Sequence, residues 1–196
     1  MKHDNMNQLS VGFAFCGSFC TIQDATEAMK TLLDSYRVTP IFSETLQNTD
    51  TRFGKAEAIM QEIESLCGAP AIKSIVEAER IGPQKLFDIL IIAPCTGNTL
   101  AKLSLGIIDA TVPMAAKAHL RNGRPLLIAP ASNDALSVGL RHIGALAMRK
   151  NVFFVPFGQD DPFSKPTSLI ADFSRIPEAV LSALNKEQLQ PMLLRH

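Results

Sequence analysis

Asp88-Ile-Leu-Ile-Ile-Ala-Pro94 is an apolar run opened by one acid, and it breaks at Cys95-Thr96-Gly97-Asn98-Thr99; Pro125-Leu-Leu-Ile-Ala-Pro130 breaks in the same way at Ala131-Ser132-Asn133. Both read as buried strands that end in small polar residues. In an open α/β sheet, ligands bind in the crevice beyond the carboxyl ends of the strands, where such loops let a phosphate or a flat ring approach the backbone. Two loops of this kind predict one ligand-binding rim.

The same punctuation extends in both directions. Val11–Phe15 reads as a strand, Gly17-Ser18 as a turn, and Ile22, Ala25, Met29, Leu32 and Leu33 recur at helical spacing. Val38–Phe42 is the next strand, ending at Ser43, and Pro40 within it predicts an edge position where a lost ladder donor is tolerated. Ala56, Ile59, Met60, Ile63 and Leu66 mark a helix closed by Gly68 and Pro70. A single short helix opening near Pro83 is expected in 71–87, and further helices over 99–105 and 112–120, the first capped by Thr96 or Asn98 and ended by Gly106. After the 125–129 strand, Leu136, Leu140, Ile143 and Ala147 predict a long helix capped by Ser132 or Asn133, with Gly139 and Gly144 allowing close packing. A strand over 152–155, a long polar loop over 156–166 and a helix through Ile176, Val180, Leu181 and Leu184 complete the pattern. Alternating strands and helices with near-continuous apolar strands predict a three-layer α/β fold, a doubly wound and mostly parallel sheet of Rossmann-like or flavodoxin-like type. The expectation is one domain over residues 1–196.

Nineteen basic residues balance nineteen acidic ones among 196. No basic run tracks a nucleic-acid backbone, so nucleic-acid binding is not expected. No apolar stretch reaches the ~18 residues of a membrane span, and the N-terminal residues Met1–Leu9 lack an apolar signal core. The expected compartment is the cytoplasm, with no membrane association.

Cysteines 16, 20, 67 and 95 form no Cys-x-x-Cys pair, and no metal site or disulfide is expected. Cys16 and Cys67 read as small buried apolar side chains, whereas Cys20 and Cys95 fall in candidate site loops. Gly17, Ser18 and Phe19 stand between the first strand and first helix, where backbone N–H groups and a hydroxyl can hold a phosphate; a tight turn without a ligand is the plain alternative. Neither G-x-G-x-x-G nor G-x-x-x-x-G-K-[ST] occurs, which favours a single phosphate over a pyrophosphate. Ser43 ends the second strand near the same place, and Glu44 beside it can imitate a ribose-binding acid, although a strand-end cap and a solvated carboxylate explain both. Thr96, Asn98 and Thr99 with Cys95 are a stronger signal, because capping accounts for one polar residue and not for four. Ser132 and Asn133 belong to the second rim loop. Histidines 3, 119, 142 and 196 pair with no nucleophile and read as terminal or helix-packing residues. Asp160-Asp161 lacks any metal-ligand spacing and reads as part of a solvated loop, and Lys165 in that loop is a weak candidate for an anionic substrate.

Pro94-Cys-Thr-Gly-Asn-Thr-Leu-Ala-Lys-Leu-Ser-Leu-Gly-Ile-Ile-Asp109 resembles the P-x-S/T-x-N-T-x-A-K motif, with its following G-I-x-D, of the flavoprotein family. That family includes the flavin-containing cysteine decarboxylases, phosphopantothenoylcysteine decarboxylase and the prenyl-FMN transferases. Gly17-Ser18 is similar to its phosphate turn, and Ala129–Asn133 stands where it places a P-x-M-N segment. The resemblance implies FMN, with the phosphate near Gly17-Ser18, the isoalloxazine near Cys95 to Thr99, and Asn98 and Thr99 facing the ligand. It also implies a homo-oligomer built from trimers. Pro156–Pro162, Lys165-Pro166, Ser168-Leu169, Ala171-Asp172 and Gln188–Pro191 resemble one branch of the family in particular. That branch implies a role in forming the spore-core dicarboxylate dipicolinate from a reduced cyclic precursor, in the mother cell of a sporulating bacterium, with a dehydrogenase-like subunit that uses NADP as its partner. Two departures stand out: no histidine occurs between 3 and 119, where the decarboxylases carry their catalytic one, and Ser132 replaces the Met of P-x-M-N. The readings that remain are an oxidoreductase subunit that depends on FMN, a non-catalytic subunit that activates its partner, and a decarboxylase, the last disfavoured by the missing histidine.

Overall fold

The computed structural model of the chain describes residues 8–194. His3, His196 and most of the N-terminal segment read for a signal core, residues 1–7, lie outside the described residues. Strands β1 (Ser10–Phe15), β2 (Arg37–Phe42), β3 (Ile89–Cys95), β4 (Leu126–Ser132) and β5 (Val152–Phe154) run parallel in the order β2-β1-β3-β4-β5. This is the flavodoxin-like winding, and its switch point lies between β1 and β3.

Every residue of β1 and β3 is buried, which requires cover on both faces of the sheet and explains the near-continuous apolar runs from Val11 and from Ile89. Helices α1 (Ile22–Lys30) and α9 (Ile176–Leu184) supply one cover, packing on β1, β3 and β4; α7 (Thr111–Leu120) packs on β2, β3 and β4. Between β2 and β3 the chain forms α2 (Glu44–Asn48), α3 (Ala56–Cys67), α4 (Ile75–Glu79) and α5 (Ile81–Gln84); α6 (Gly97–Leu105) follows β3 and α8 (Leu140–Ala147) follows β4. Gly12 in β1 is where a glycine is needed, because a Cβ there would sit 2.6 Å from the Phe87 ring. Pro40 lies on the edge strand as its sequence predicts. Its carbonyl accepts from Ile72 N–H on the outer side, so its missing N–H faces away from β1 and breaks no inner ladder bond.

Five expectations need correction. Residues 71–87 hold two short helices rather than one, and the first opens at a capping box in which Ser74 accepts from Glu77 N–H while Glu77 reaches back to the Ser74 amide; Pro83 lies inside α5 instead of opening it. The long helix expected after residue 132 is only α8. β4 continues to Ser132, and 133–139 form turns in which the Asp134 carbonyl receives the Ser137 and Gly139 amides. Neither Ser132 nor Asn133 therefore caps it. Gly139 does permit close approach, its Cβ position being 2.7 Å from Ala135 Cα, but Gly144 has nothing within 4 Å and serves no packing. Cys67 is only half-buried, against Met29.

The polar stretch 156–166 is the fifth correction. It is a hairpin of β6 (Phe157–Asp161) and β7 (Lys165–Ala171), closed by the Asp161 carboxylate, which accepts from the Phe163 and Ser164 amides at 3.0 and 2.9 Å. β7 joins the sheet antiparallel to the last residues of β4, Ala131 opposite Ile170 and Ser132 opposite Leu169, beyond the point where β5 stops. The sheet thus has seven strands, and its added corner stands over the carboxyl ends of the parallel ones. Asp160 and Lys165 belong to this corner, not to a solvated loop. Among the described residues no helix is long and apolar enough to cross a membrane.

Candidate functional site

At the β1/β3 switch point the Cys16 amide bonds the Pro94 carbonyl at 3.3 Å, and beyond it the two strand-end loops diverge. They open a cleft of about 830 Å³, within the usual range of small-molecule and cofactor sites. Its lining comes from five places in the chain. Gly17–Thr21 follow β1, Thr96–Asn98 follow β3, Ala131–Asp134 end β4, Asp160, Lys165 and Ser168–Ile170 come from the hairpin, and Arg52 and Phe53 come from the segment between α2 and α3.

Each loop is held by its own local chemistry. Ser18 precedes a 3-10 turn, Phe19–Thr21, that runs directly into α1, and its side-chain oxygen accepts from the Thr21 hydroxyl at 3.0 Å rather than capping the helix. The opening amides of this helical segment are the ones that lack intrahelical acceptors. Thr96 caps α6, accepting from Thr99 N–H, and Gly106 ends that helix at φ 73°. Gly97 lets the first turn of α6 approach the β4 loop, since a Cβ there would lie 2.7 Å from Ser132 Oγ and 2.9 Å from Asp134 Oδ1. Ser132 donates to Asp134. Asp160 is gripped by Lys165 at 2.8 Å and by the Ser168 hydroxyl at 3.3 Å. That contact raises the Lys165 amine above its ordinary pKa.

A smaller pocket of about 220 Å³ shares Gly17, Thr96 and Asn98 with the cleft. Ser43 and Thr99 open onto it, with Glu44, Lys102 and Asp109. Ser43 caps α2, accepting from Leu46 N–H at 3.3 Å. Glu44 is committed elsewhere than to a ribose: one carboxylate oxygen accepts the Thr111 amide at 2.8 Å and its hydroxyl at 2.7 Å, so it serves the start of α7, whose own cap position is Ala110. Lys102 pairs with Asp109 at 2.8 Å. Thr99 points inward, donating to Cys16 Sγ at 3.3 Å.

Eight residues singled out from sequence therefore meet in one cleft: Gly17, Ser18, Phe19, Thr96, Asn98, Ser132, Asn133 and Lys165. Ser43 and Thr99 reach only the adjoining pocket, and Cys95 lines neither, being wholly buried under the floor. Burial pushes the Cys16 thiol up to about 11 and the Cys95 thiol well above its usual value. Both stay protonated at neutral pH, which removes them as thiolate nucleophiles. Cys20 is exposed in the cleft. His119 and His142 are buried helix residues and line neither pocket. Among the described residues no group of three His, Cys, Asp or Glu side chains is placed to hold a metal. Sequence reasoning missed Arg52, Phe53, Asp134, Asp160 and Ser168 as cleft residues. Arg52 and Phe53 lie far from any strand end, and the only local sign was the turn composition of Asn48–Gly54.

Residues 1–180 match the family described as Flavoprotein. The chain belongs to the Flavoprotein family. It is 41% identical over 187 residues to the B subunit of dipicolinate synthase of Bacillus subtilis (strain 168), covering 95% of this chain and 94% of that protein. The crystal structure of the dipicolinate synthase B subunit from Bacillus halodurans superposes with a TM-score of 0.87 at 39% identity, over 97% of this chain and 99% of that one. The Flavoprotein fold is also shared with Burkholderia xenovorans DmrB, solved in complex with FMN and described as a cubic protein cage for redox transfer. There the TM-score is 0.67 at 13% identity, covering 91% and 97% of the two chains, a likeness of fold alone.

Proposed function

We propose that this chain is the FMN-binding subunit of a dipicolinate synthase, a single-domain protein that contributes to oxidising a reduced, ring-shaped dicarboxylate precursor. The observation that carries the reading is the convergence of three loops, after β1, β3 and β4, on one cleft at the switch point. The similarity to a dipicolinate synthase component along 95% of the chain gives that cleft its chemistry. The fit to FMN rests on the donor set. The start of the Phe19–Lys30 helical segment, with the Ser18 hydroxyl, offers amides and dipole to a phosphate. Asn98, exposed between the two pockets, offers an amide to a ring edge or ribityl hydroxyl, while Thr96, Ser132 and Asn133 complete the polar wall. Bound flavin supplies a two-electron acceptor for the dihydro ring. The residues of the chain bind, orient and shield.

What the cleft offers for proton transfer is limited. Its lining contains no histidine, and its two carboxylates, Asp134 and Asp160, are already hydrogen-bonded to Ser132 and to Lys165 and Ser168. This favours dependence on a partner, the dipicolinate synthase A subunit, which is a dehydrogenase-like protein that carries NADP. It also gives weight to a second reading, a non-catalytic protein that activates that dehydrogenase-like partner. The missing histidine argues against cysteine decarboxylation. Assembly into homo-oligomers built from trimers and residence in the mother-cell cytoplasm belong to the same proposal. The test has two arms: visible absorbance of the purified chain titrated with FMN, and ultraviolet detection of dipicolinate formed from the reduced precursor by each of the two proteins separately and by both together. We expect saturable FMN binding and turnover that needs both chains. Full turnover by the dehydrogenase-like protein alone refutes a catalytic or activating role, and full turnover by this chain with FMN alone refutes the dependence on a partner.

A further inference from the structure

Part of the cleft is lined by a turn that none of the strand-end loops supplies. Thr51 and Gly54 exchange backbone hydrogen bonds at 3.0 and 3.1 Å, and the Thr51 hydroxyl accepts from Phe53 N–H at 3.2 Å. Arg52 and Phe53 are the two residues at its tip. Gly54 has φ +147°, a conformation that side chains other than hydrogen rarely adopt. The tip is thus a braced, preorganised element rather than a slack loop. Phe53 is 51% exposed although it is aromatic, and both tip residues line the cleft.

The charge at this tip differs from the other cation in the cleft. Lys165 is already held by Asp160 at 2.8 Å. Arg52 has no carboxylate within ion-pair distance among the described residues; its guanidinium instead lies 4.8 Å from the Phe53 ring centre. Stacking of this kind fixes the plane of the guanidinium while leaving its N–H edge free for a two-point contact with a carboxylate. A planar ring bearing a carboxylate needs such a pair of groups, a fixed cationic fork and an apolar edge beside it.

We infer that Arg52, oriented by Phe53, is the residue that selects a dicarboxylate over a monocarboxylate in this cleft, by receiving one carboxylate of the planar substrate. The inference rests on the FMN and dicarboxylate reading above and adds to it the group that reads the second charge. Phosphate recognition stays with Ser18 and the helix start.

The experiment uses the full chain loaded with FMN and follows flavin fluorescence as dipicolinate or picolinate, which has one carboxylate fewer, is added. Wild-type protein is expected to bind dipicolinate more tightly than picolinate. Arg52→Gln should weaken dipicolinate by about tenfold or more, the weight of one charge-assisted contact, leave picolinate within about twofold, and so abolish the discrimination; Arg52→Lys should restore part of it. FMN and riboflavin affinities of the variants check the alternative. If Arg52→Gln binds dipicolinate as wild type does, or loses affinity for FMN but not for riboflavin, the assignment is overturned and the parent reading stands. A wild-type chain that binds FMN but neither ring acid overturns both.

Discussion

Truncating Asn98 separates ligand binding from folding better than any other change in the cleft. Asn98 follows Gly97 in the first turn of α6, is exposed, and lines both the cleft and the smaller pocket. The cap of that helix is Thr96, whose hydroxyl accepts from Thr99 N–H. Asn98→Ala therefore removes a group that α6 does not use, and alanine is the better helix former, so the unfolding midpoint should hold or rise slightly. If the amide bonds FMN once the cleft is desolvated, its loss leaves a flavin polar group unpaired at a cost of about 1–3 kcal/mol, roughly 5- to 150-fold in Kd. Thr96→Ala is the contrasting variant: it should cost about 0.5–2 kcal/mol of stability through the lost cap. Fluorescence titration of FMN gives the affinities and urea unfolding without FMN gives the stabilities. An Asn98→Ala protein with wild-type FMN affinity and wild-type stability would refute the placement of the ring edge at the start of α6.

Two further outcomes are expected. FMN should bind more tightly than riboflavin, because the Ser18 hydroxyl and the helix start after β1 favour a doubly negative group; equal affinities by isothermal titration would put the phosphate in solvent and sink that assignment. His119 should make the fold acid-sensitive. It is wholly buried, its Nε2 meets the Pro125 carbonyl at 2.9 Å and its Nδ1 has no partner, and burial first, then nearby Arg124, lowers its pKa from 6.5 to about 4. A depressed histidine keeps its contribution above the unfolded pKa and loses it as pH falls toward the folded one. About 3 kcal/mol is at stake between about pH 6.5 and 4, some 2 kcal/mol of it by pH 5. Urea unfolding at pH 7.5 and 5.0 checks this, with His119→Gln expected to flatten the difference; an equal pH difference in that variant would assign the acid sensitivity to other groups.

The parallel half of this molecule was legible in its sequence because burial on both faces imposes a simple rule. β3 and, after Ser10, β1 carry no polar side chain other than the buried Cys95 thiol, their ends are marked by Gly17-Ser18 and Thr96-Gly97, and Pro40 disclosed its edge position through the one donor it lacks. The antiparallel corner obeys no such rule. Most of β6 is only partly buried and the first residues of β7 are exposed, so Gly158-Gln159-Asp160-Asp161 shows no apolar alternation and reads as a loop. Ser132 and Asn133 were placed correctly at the rim and given the wrong local role, because a polar pair before apolar spacing looks the same whether it caps a helix or extends a strand by three residues. Glu44 misled for a different reason: its partner, Thr111, is 67 positions away, and only the fold brings the start of α7 to it.

The division of labour between the two halves bears on the proposal that this chain works with a second one. The parallel strands contribute neutral hydrogen-bonding groups to the cleft: amides, Ser18, Thr96, Asn98 and Ser132. Most of the charge arrives on later additions, Arg52 on the turn between α2 and α3, Asp134 past β4, and Asp160 with Lys165 on the hairpin. Of these four, Asp134, Asp160 and Lys165 hold contacts that neutralise or occupy them, and Arg52 is held only against a ring. A site made this way can seat a flavin and grip an anion, since neither task requires a proton to move. Removing hydrogen from a dihydro ring also requires a base near the reacting carbon, and the buried Cys16 and Cys95 thiols are held protonated by burial. On the proposed function a partner completes the chemistry at this cleft, and the missing base should prove to be a residue of the proposed dehydrogenase-like protein whose loss abolishes turnover without changing FMN affinity in this chain.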